Sequence, residues 1–272
     1  MNNIDIFKQQ SSVLDTETTN LYPELAEVVE VAGAVWEDSA WSADSMLLGA
    51  YNGIPPEASA KNNISNRMIS NLPKFDQSIQ LVKSVLAWDT KQYLVAHNAT
   101  YDRTALATSF EKMHSDIDVA QCKDDSRWIC TYRLSKHIID NEFNDMQYNL
   151  SYLRYKLDLP IPDSTAVHRA SDDTLVCAAL LDYLLELAIT TGKIDVAHAV
   201  GPQLVKLCWS HIPAKSWPLG KYKGQSLVDV PTDYYIWALK NVSQLQENQS
   251  GYDYDLAESV RAVLENRVLE NS

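Results

Sequence analysis

No run of about 18 apolar residues occurs in this 272-residue sequence, which excludes a membrane-spanning helix. The N-terminus, Met1-Asn2-Asn3-Ile4-Asp5-Ile6, has neither the basic nor the apolar region of a secretory signal. Cysteine is sparse. Cys122, Cys130, Cys177 and Cys208 are scattered, with no Cys-x-x-Cys pair. A zinc or disulfide framework is therefore not expected, and a reduced, intracellular, cytoplasmic setting is. There is no internal repeat and no low-complexity tract. Positive charge is also short: 23 Lys+Arg stand against 36 Asp+Glu, for a net charge of −13. That deficit speaks against the basic patch that usually drives nucleic-acid binding. It predicts weak, salt-sensitive binding of any polyanion, yet it suits a site that gathers carboxylates around cations. The deficit lies in the first part of the chain. Residues 1–199 hold 16 Lys+Arg and 28 Asp+Glu, and residues 200–272 hold 7 and 8.

What is present is an ordinary apolar share of 46%, enough for a real core. The pattern reads as α/β. Strands are expected at the residues leading into Val13-Leu14-Asp15, over Val28–Trp36, and more weakly over Met46–Tyr51, as an antiparallel meander. Phe75–Trp88 has helical apolar spacing. Tyr93–Asn98 reads as a buried strand opening into a helix at Ala99, and 116–125 as an acidic loop. A short strand over Trp128–Thr131 precedes a helix through Leu134 and Ile138, and another helix starts at Leu150. Leu175–Ile189 is a strongly apolar helix. Gly201-Pro202 and Ile212-Pro213 mark a boundary near 195–212, giving a domain over 1–195 and a small α+β module over 212–272 that ends in a helix from Tyr254 to Leu269.

Three patches carry chemistry. In Asp15-Thr16-Glu17, strand alternation puts both carboxylates on one face and Thr16 on the other. Buried together they would repel, and burial would raise their pKa values unless a positive charge lay between them. A hard divalent cation is the usual remedy, and solvated carboxylates in a polar turn are the alternative. The second patch is His97-Asn98-Ala99-x-x-Asp102, at a strand-to-helix junction where α/β folds place their sites. The third is His168-x-Ala170-x-x-Asp173, just before an apolar helix, with Asp172 beside it. Singly each is ordinary, since an Asp after a strand caps helices and an Asp in a first turn is favoured by the helix dipole. Their order and setting together raise the odds.

Those three patches resemble the exonuclease motifs of the DEDDh class of 3′–5′ exonucleases, over roughly residues 11–190. Within the class the pattern is most similar to the exodeoxyribonuclease X family. Val95-Ala96-His97-Asn98-Ala99, Trp128-Ile129-Cys130-Thr131 and the tail motif Gly220-Lys221-Tyr222-Lys223-Gly224 with Tyr235-x-Trp237 carry that likeness. The chain departs from relatives at Lys61-Asn62-Asn63-Ile64, where many have a His, and over Met113–Arg127, which looks longer.

The resemblance implies a ribonuclease H-like mixed β-sheet flanked by helices, and a metal-dependent 3′–5′ exodeoxyribonuclease. It implies that Asp15, Glu17, Asp102 and Asp173 hold two Mg2+ ions, for which Mn2+ can substitute. Two metals about 3.5–4 Å apart clamp a phosphodiester in in-line displacement. His168 is implied as the general base, and a pKa near about 6.5 suits it. Asp172 is read as a capping or solvent-facing neighbour. Thr16, Thr18 and Leu21 are implied near the terminal nucleotide, and Asn98 at the strand end or the Asp102 loop. The implied partners are single-stranded DNA or DNA 3′ ends, with RNA as the alternative substrate in the manner of RNase T or oligoribonuclease, and no membrane. A rival of another class is a nuclease-like binding module acting through its tail. In the tail under either reading, Tyr222 and Trp237 stack on bases or fill the module's own core, and Lys221 and Lys223 contact a phosphate or form a solvated hairpin.

Overall fold

The structure is a computed structural model and describes residues 2–139, 147–161, 169–247, 249 and 251–270. The chain divides into two compact units, Met1–Trp209 and Ser210–Ser272.

In the first unit a short helix, α1 (Asn3–Gln9), precedes β1 (Ser11–Thr18), β2 (Val28–Glu37) and β3 (Ala40–Leu47). Next come α2 (Pro56–Asn62), α3 (Asn66–Ile69), α4 (Ile79–Val85) and β4 (Tyr93–Ala96). After them lie α5 (Ala99–Lys112), α6 (Asp116–Lys123), β5 (Trp128–Cys130), α7 (Thr131–Ile138), α8 (Leu150–Lys156), α9 (Ala170–Thr190) and α10 (Val200–Trp209). The sheet has five strands in the order β3-β2-β1-β4-β5. β1 pairs antiparallel with β2 and parallel with β4, and β4 pairs parallel with β5, so the sheet is mixed. This is the expected flanked mixed sheet.

Composition explains the layering. β2 is buried from Val28 through Ala34, as a central strand covered on both faces must be. At Gly33 an added Cβ would lie 2.1 Å from the Val85 carbonyl oxygen, so only glycine lets the end of α4 approach the strand. The core holds Val13, Leu14, Leu94, Val95, Trp88 and Trp128 around the sheet, with Leu180, Leu181 and Leu184 of α9 across it. The four cysteines are buried and free. No described helix is long and apolar enough to cross a membrane.

Four expectations shift. The third strand is Ala40–Leu47 rather than Met46–Tyr51. It forms a tight hairpin with β2 through Asp38 and Ser39, both at positive φ, and its half-exposed alternation hid an edge strand. The helix expected over Phe75–Trp88 is confined to α4, because turns at Phe75–Ser78 and Leu86–Ala87 interrupt it. The acidic stretch at 116–125 is largely helix α6. Its Asp118 is buried, accepts a hydrogen bond from Trp88 Nε1 at 2.9 Å and pairs with Lys83 at 2.7 Å. The first unit also runs past 195, because Val200, Leu204 and Cys208 of α10 lie in the same core.

The second unit contains α11 (Thr232–Asn241) and α12 (Tyr254–Glu270), with short 3-10 turns at Gly220–Tyr222, Leu227–Asp229 and Ser243–Leu245. Among the described residues its strand pairing is one antiparallel bridge, Ser216 to Ser226. The chain reverses within a few residues through Gly220 and Gly224, both at positive φ, and the indole of Trp217 takes the interior. The unit's core is Trp217, Leu227, Val230, Tyr235 and Leu245, closed by Leu256, Ala257 and Val260 of α12.

Candidate active site

β1 supplies the first two carboxylates. Asp15 and Glu17 share a face, as strand geometry requires, while Thr16 is buried toward the other. β4 pairs with β1 only as far as Val13, so the Thr16 amide is left without a strand partner on that side. Asp102, in the first turn of α5, takes that place. Its Oδ1 accepts from Thr16 N at 3.0 Å and from Thr16 Oγ1 at 2.8 Å. Asn98 caps α5 in the left-handed conformation, with φ of 63°, which turns the chain from β4 into the helix that carries Asp102.

α9 brings the last carboxylate. One ligand oxygen each from Asp15, Glu17 and Asp173 lies within 4.8 Å of the others. Asp173, not Asp172, faces this group. His168 lies outside the described residues.

The electrostatics show an uncompensated cluster. Burial, and then the charges of Asp102, Glu17, Asp173 and Glu30, push the Asp15 carboxyl well above the usual range. Burial, and then Asp173, Glu30 and Asp102, push Glu17 to about 8, while Arg169 opposes the rise. Burial lifts Asp102 to about 7 against the hydrogen bonds from Thr16. Carboxylates that resist ionisation side by side are the arrangement that a cation between them relieves. An all-carboxylate donor set fits a hard divalent ion such as magnesium or manganese and does not fit a thiophilic one.

A cleft of about 630 Å³ opens beside this group, lined by Thr16, Glu17, Thr18, Leu21, Lys61 and Tyr101 among others. Leu21 and Tyr22 are exposed apolar side chains at its lip. Of the expected contacts, Thr16, Thr18 and Leu21 line the cleft, and Asn98 does not. The Tyr101 hydroxyl meets Thr18 Oγ1 and also donates to the Asn20 carbonyl, and Asn62 Nδ2 donates to the Thr18 carbonyl at 3.3 Å. Tyr101, Asn62 and Lys61 thus join the wall without having been singled out. The only available signal was position, Tyr101 beside Asp102 and Lys61-Asn62 where relatives differ.

Glu30 is the larger omission. It sits opposite Glu17 on β2 and is fully buried. Like charges facing each other across strands destabilise a sheet. Arg169 answers this, with Nη2 at 3.0 Å from Glu30 Oε1, and the Ala170 amide lies 3.4 Å from Oε2. The start of α9 is therefore anchored to the floor of the carboxylate site. His97 plays a related part: Nδ1 lies 2.9 Å from Thr131 Oγ1 and Nε2 is 2.8 Å from the Tyr148 carbonyl. Burial lowers its pKa to about 4, so the ring is neutral and joins the end of β4 to α7.

Comparison with known proteins agrees with this geometry. The family model described as Exonuclease matches residues 12–181. DNA polymerase III subunit epsilon of Treponema pallidum (strain Nichols) is 27% identical over 198 residues, covering 72% of this chain and 86% of that protein. Among solved structures, "Exonuclease X in complex with 5′ overhanging duplex DNA" is 24% identical with a TM-score of 0.51, covering 73% of this chain and 99% of the other. "3′-end specific recognition of histone mRNA stem-loop by 3′-exonuclease" is 12% identical with a TM-score of 0.51, covering 66% and 83%. The two structural likenesses speak for the fold.

Proposed function

The chain belongs to the exonuclease family, and we propose that it hydrolyses DNA from the 3′ end to nucleoside 5′-monophosphates with the help of two divalent cations. The observation that carries this reading is the convergence of Asp15, Glu17 and Asp173 at one end of an open cleft, with the buried Asp102 alongside. The likeness to a DNA polymerase subunit and to a nuclease solved with duplex DNA supports DNA as the polymer.

In this reading Asp15, Glu17, Asp102 and Asp173 hold magnesium, and manganese can replace it. When bound, such ions neutralise charge on the phosphodiester under attack and make water a better nucleophile. The protein's own part is to orient and to move a proton. Thr16 orients Asp102 by donating to it twice, and these bonds oppose the rise that burial imposes on its carboxyl. Thr18, fixed by Tyr101, shapes the wall on which the terminal nucleotide rests, and Leu21 offers an apolar surface to its base. His168 accepts the proton of the attacking water, a task suited to an imidazole near neutral pH. Arg169 holds the start of α9 through Glu30, and so fixes Asp173 one turn later.

The test is a ladder assay with 5′-labelled single-stranded DNA and RNA of one sequence, with magnesium, manganese or EDTA, and Asp15→Ala as control. The expected result is metal-dependent shortening from the 3′ end, faster on DNA and absent in the variant. A faster ladder on RNA keeps the chemistry and overturns the substrate. Absence of cleavage with either metal overturns the catalytic reading.

A further inference from the structure

The second unit leaves part of its aromatic packing in water: Tyr222 and Tyr234 lie half-buried against its core, and Trp237 extends beyond them. α11 turns Tyr235 and Ala238 inward, where with Trp217 they complete the interior. Its other side holds Tyr234 and Trp237, one turn apart. Trp237 is 50% exposed, a large apolar area for a small unit to leave in water. The rings form a continuous row. Tyr222 and Tyr234 have centroids 4.7 Å apart, and Tyr234 and Trp237 5.4 Å apart. The turn at Gly220–Tyr222 is seated on that row, and a Cβ at Gly220 would meet the Tyr234 hydroxyl at 3.5 Å. This turn sets Lys221 Nζ 5.0 Å from the Tyr222 ring centroid. Lys223 follows it in sequence, and Lys240 lies one turn beyond Trp237 on the helix. All three lysines are exposed. Among the described residues none of them is in an ion pair.

We propose that this row, Tyr222–Tyr234–Trp237 with Lys221 and Lys223 at its edge, is a second nucleic-acid site, which binds a single strand by stacking bases on the rings and placing phosphates against the lysines. The identity of the ligand rests on the proposed exonuclease function. The chemistry narrows it independently. An apolar peptide would have no use for the lysines, and an acidic peptide would have none for a row of π faces. An unpaired strand presents both flat bases and phosphates. Charge agrees: residues 210–272 carry 6 Lys+Arg and 8 Asp+Glu, a net of −2, against −11 (17 and 28) for residues 1–209. A polyanion is therefore repelled far less here than by the unit that would cut it. Asp233, exposed in the first turn of α11, keeps the local positive charge modest, so stacking supplies most of the affinity.

The test uses the full chain in EDTA, where nothing is cut, and measures the anisotropy of a fluorescein-labelled oligothymidylate. Trp237→Ala is expected to weaken binding about tenfold, since a stacked base is worth roughly 1–3 kcal/mol and 1.4 kcal/mol is a factor of ten. Trp237→Phe keeps a stacking face and should recover most of the loss. Lys221→Ala with Lys223→Ala should lower the slope of log affinity against log salt by about 1.4, at about 0.7 per phosphate on a single strand. With magnesium, all these variants should hydrolyse a dinucleotide at the wild-type rate. Unchanged binding in Trp237→Ala overturns the proposal and leaves the row to a protein partner, as does failure of the wild-type chain to bind at all. Failure of the exonuclease reading shows separately, as no dinucleotide hydrolysis while the EDTA binding is retained.

Discussion

Glu17 holds its proton to about pH 8, against an ordinary value of 4.5, because it is buried among other carboxylates. The consequence for stability has a definite sign. Between those two values the folded state binds a proton that the unfolded state releases, so stability falls as pH rises through that window. The metal-free protein should melt at a lower temperature at pH 8 than at pH 5.5. Glu17→Gln, which cannot ionise, should flatten that dependence in a calorimetric or fluorescence melt. Arg169 gives a second test at this scale. Its guanidinium is the cation at the fully buried Glu30, but it is itself 37% exposed in its side chain. Arg169→Ala should cost about 1–3 kcal/mol by denaturant midpoint, below the 3–5 of a fully buried pair because water reaches the arginine's side. Glu30→Gln combined with Arg169→Ala should restore part of the loss, since no buried charge then stands alone.

At the scale of elements, the site depends on where strands stop. β4 ends at Ala96, which frees the Thr16 edge of β1 for Asp102, and the left-handed Asn98 aims α5 there. The contact between β2 and α4 holds the opposite face. Gly33→Ala would drive a methyl into the Val85 carbonyl at 2.1 Å, which is backbone and cannot turn aside. A loss of about 1–3 kcal/mol or more is expected from such overpacking, read as a lowered melting temperature. This is also where pattern reading faltered. Periodicity found β2 and α9 because their apolar residues repeat within the element. It missed α6 because the residue that makes that helix dock, Asp118, looks like solvent until Lys83 and Trp88 are brought to it.

At the scale of the whole molecule, the carboxylate site is a balance between repulsion and a cation. Adding magnesium should raise the melting temperature, and by more at pH 8 than at pH 5.5, because the ion competes with protons for the same oxygens. Asp15→Ala should abolish most of this gain, and equal gains at both pH values would count against a carboxylate site. The net charge of −13 adds a second dependence. With so few cations to contact phosphates, the chain should bind long strands weakly at low salt already, and log affinity should fall with log salt on a shallow slope, while hydrolysis of a dinucleotide changes little.

The sequence by itself determined what depends on neighbours in the chain. The alternation that puts Asp15 and Glu17 on one face, the strand-to-helix junction before Asp102, the apolar helix after Asp173 and the succession of strands and helices all follow from short-range periodicity, while the mixed sheet was implied by the motif resemblance. Tertiary structure alone decided what depends on distant partners. It brought Asp173, not Asp172, within 4.8 Å of Asp15 and Glu17, and it set Glu30 against Arg169 across 139 positions. It left Trp237 in water while burying Tyr235 two residues earlier. The physical reason is that a side chain's alternation is fixed by the backbone that carries it, whereas its charge state, exposure and partner are fixed by elements that only folding brings near.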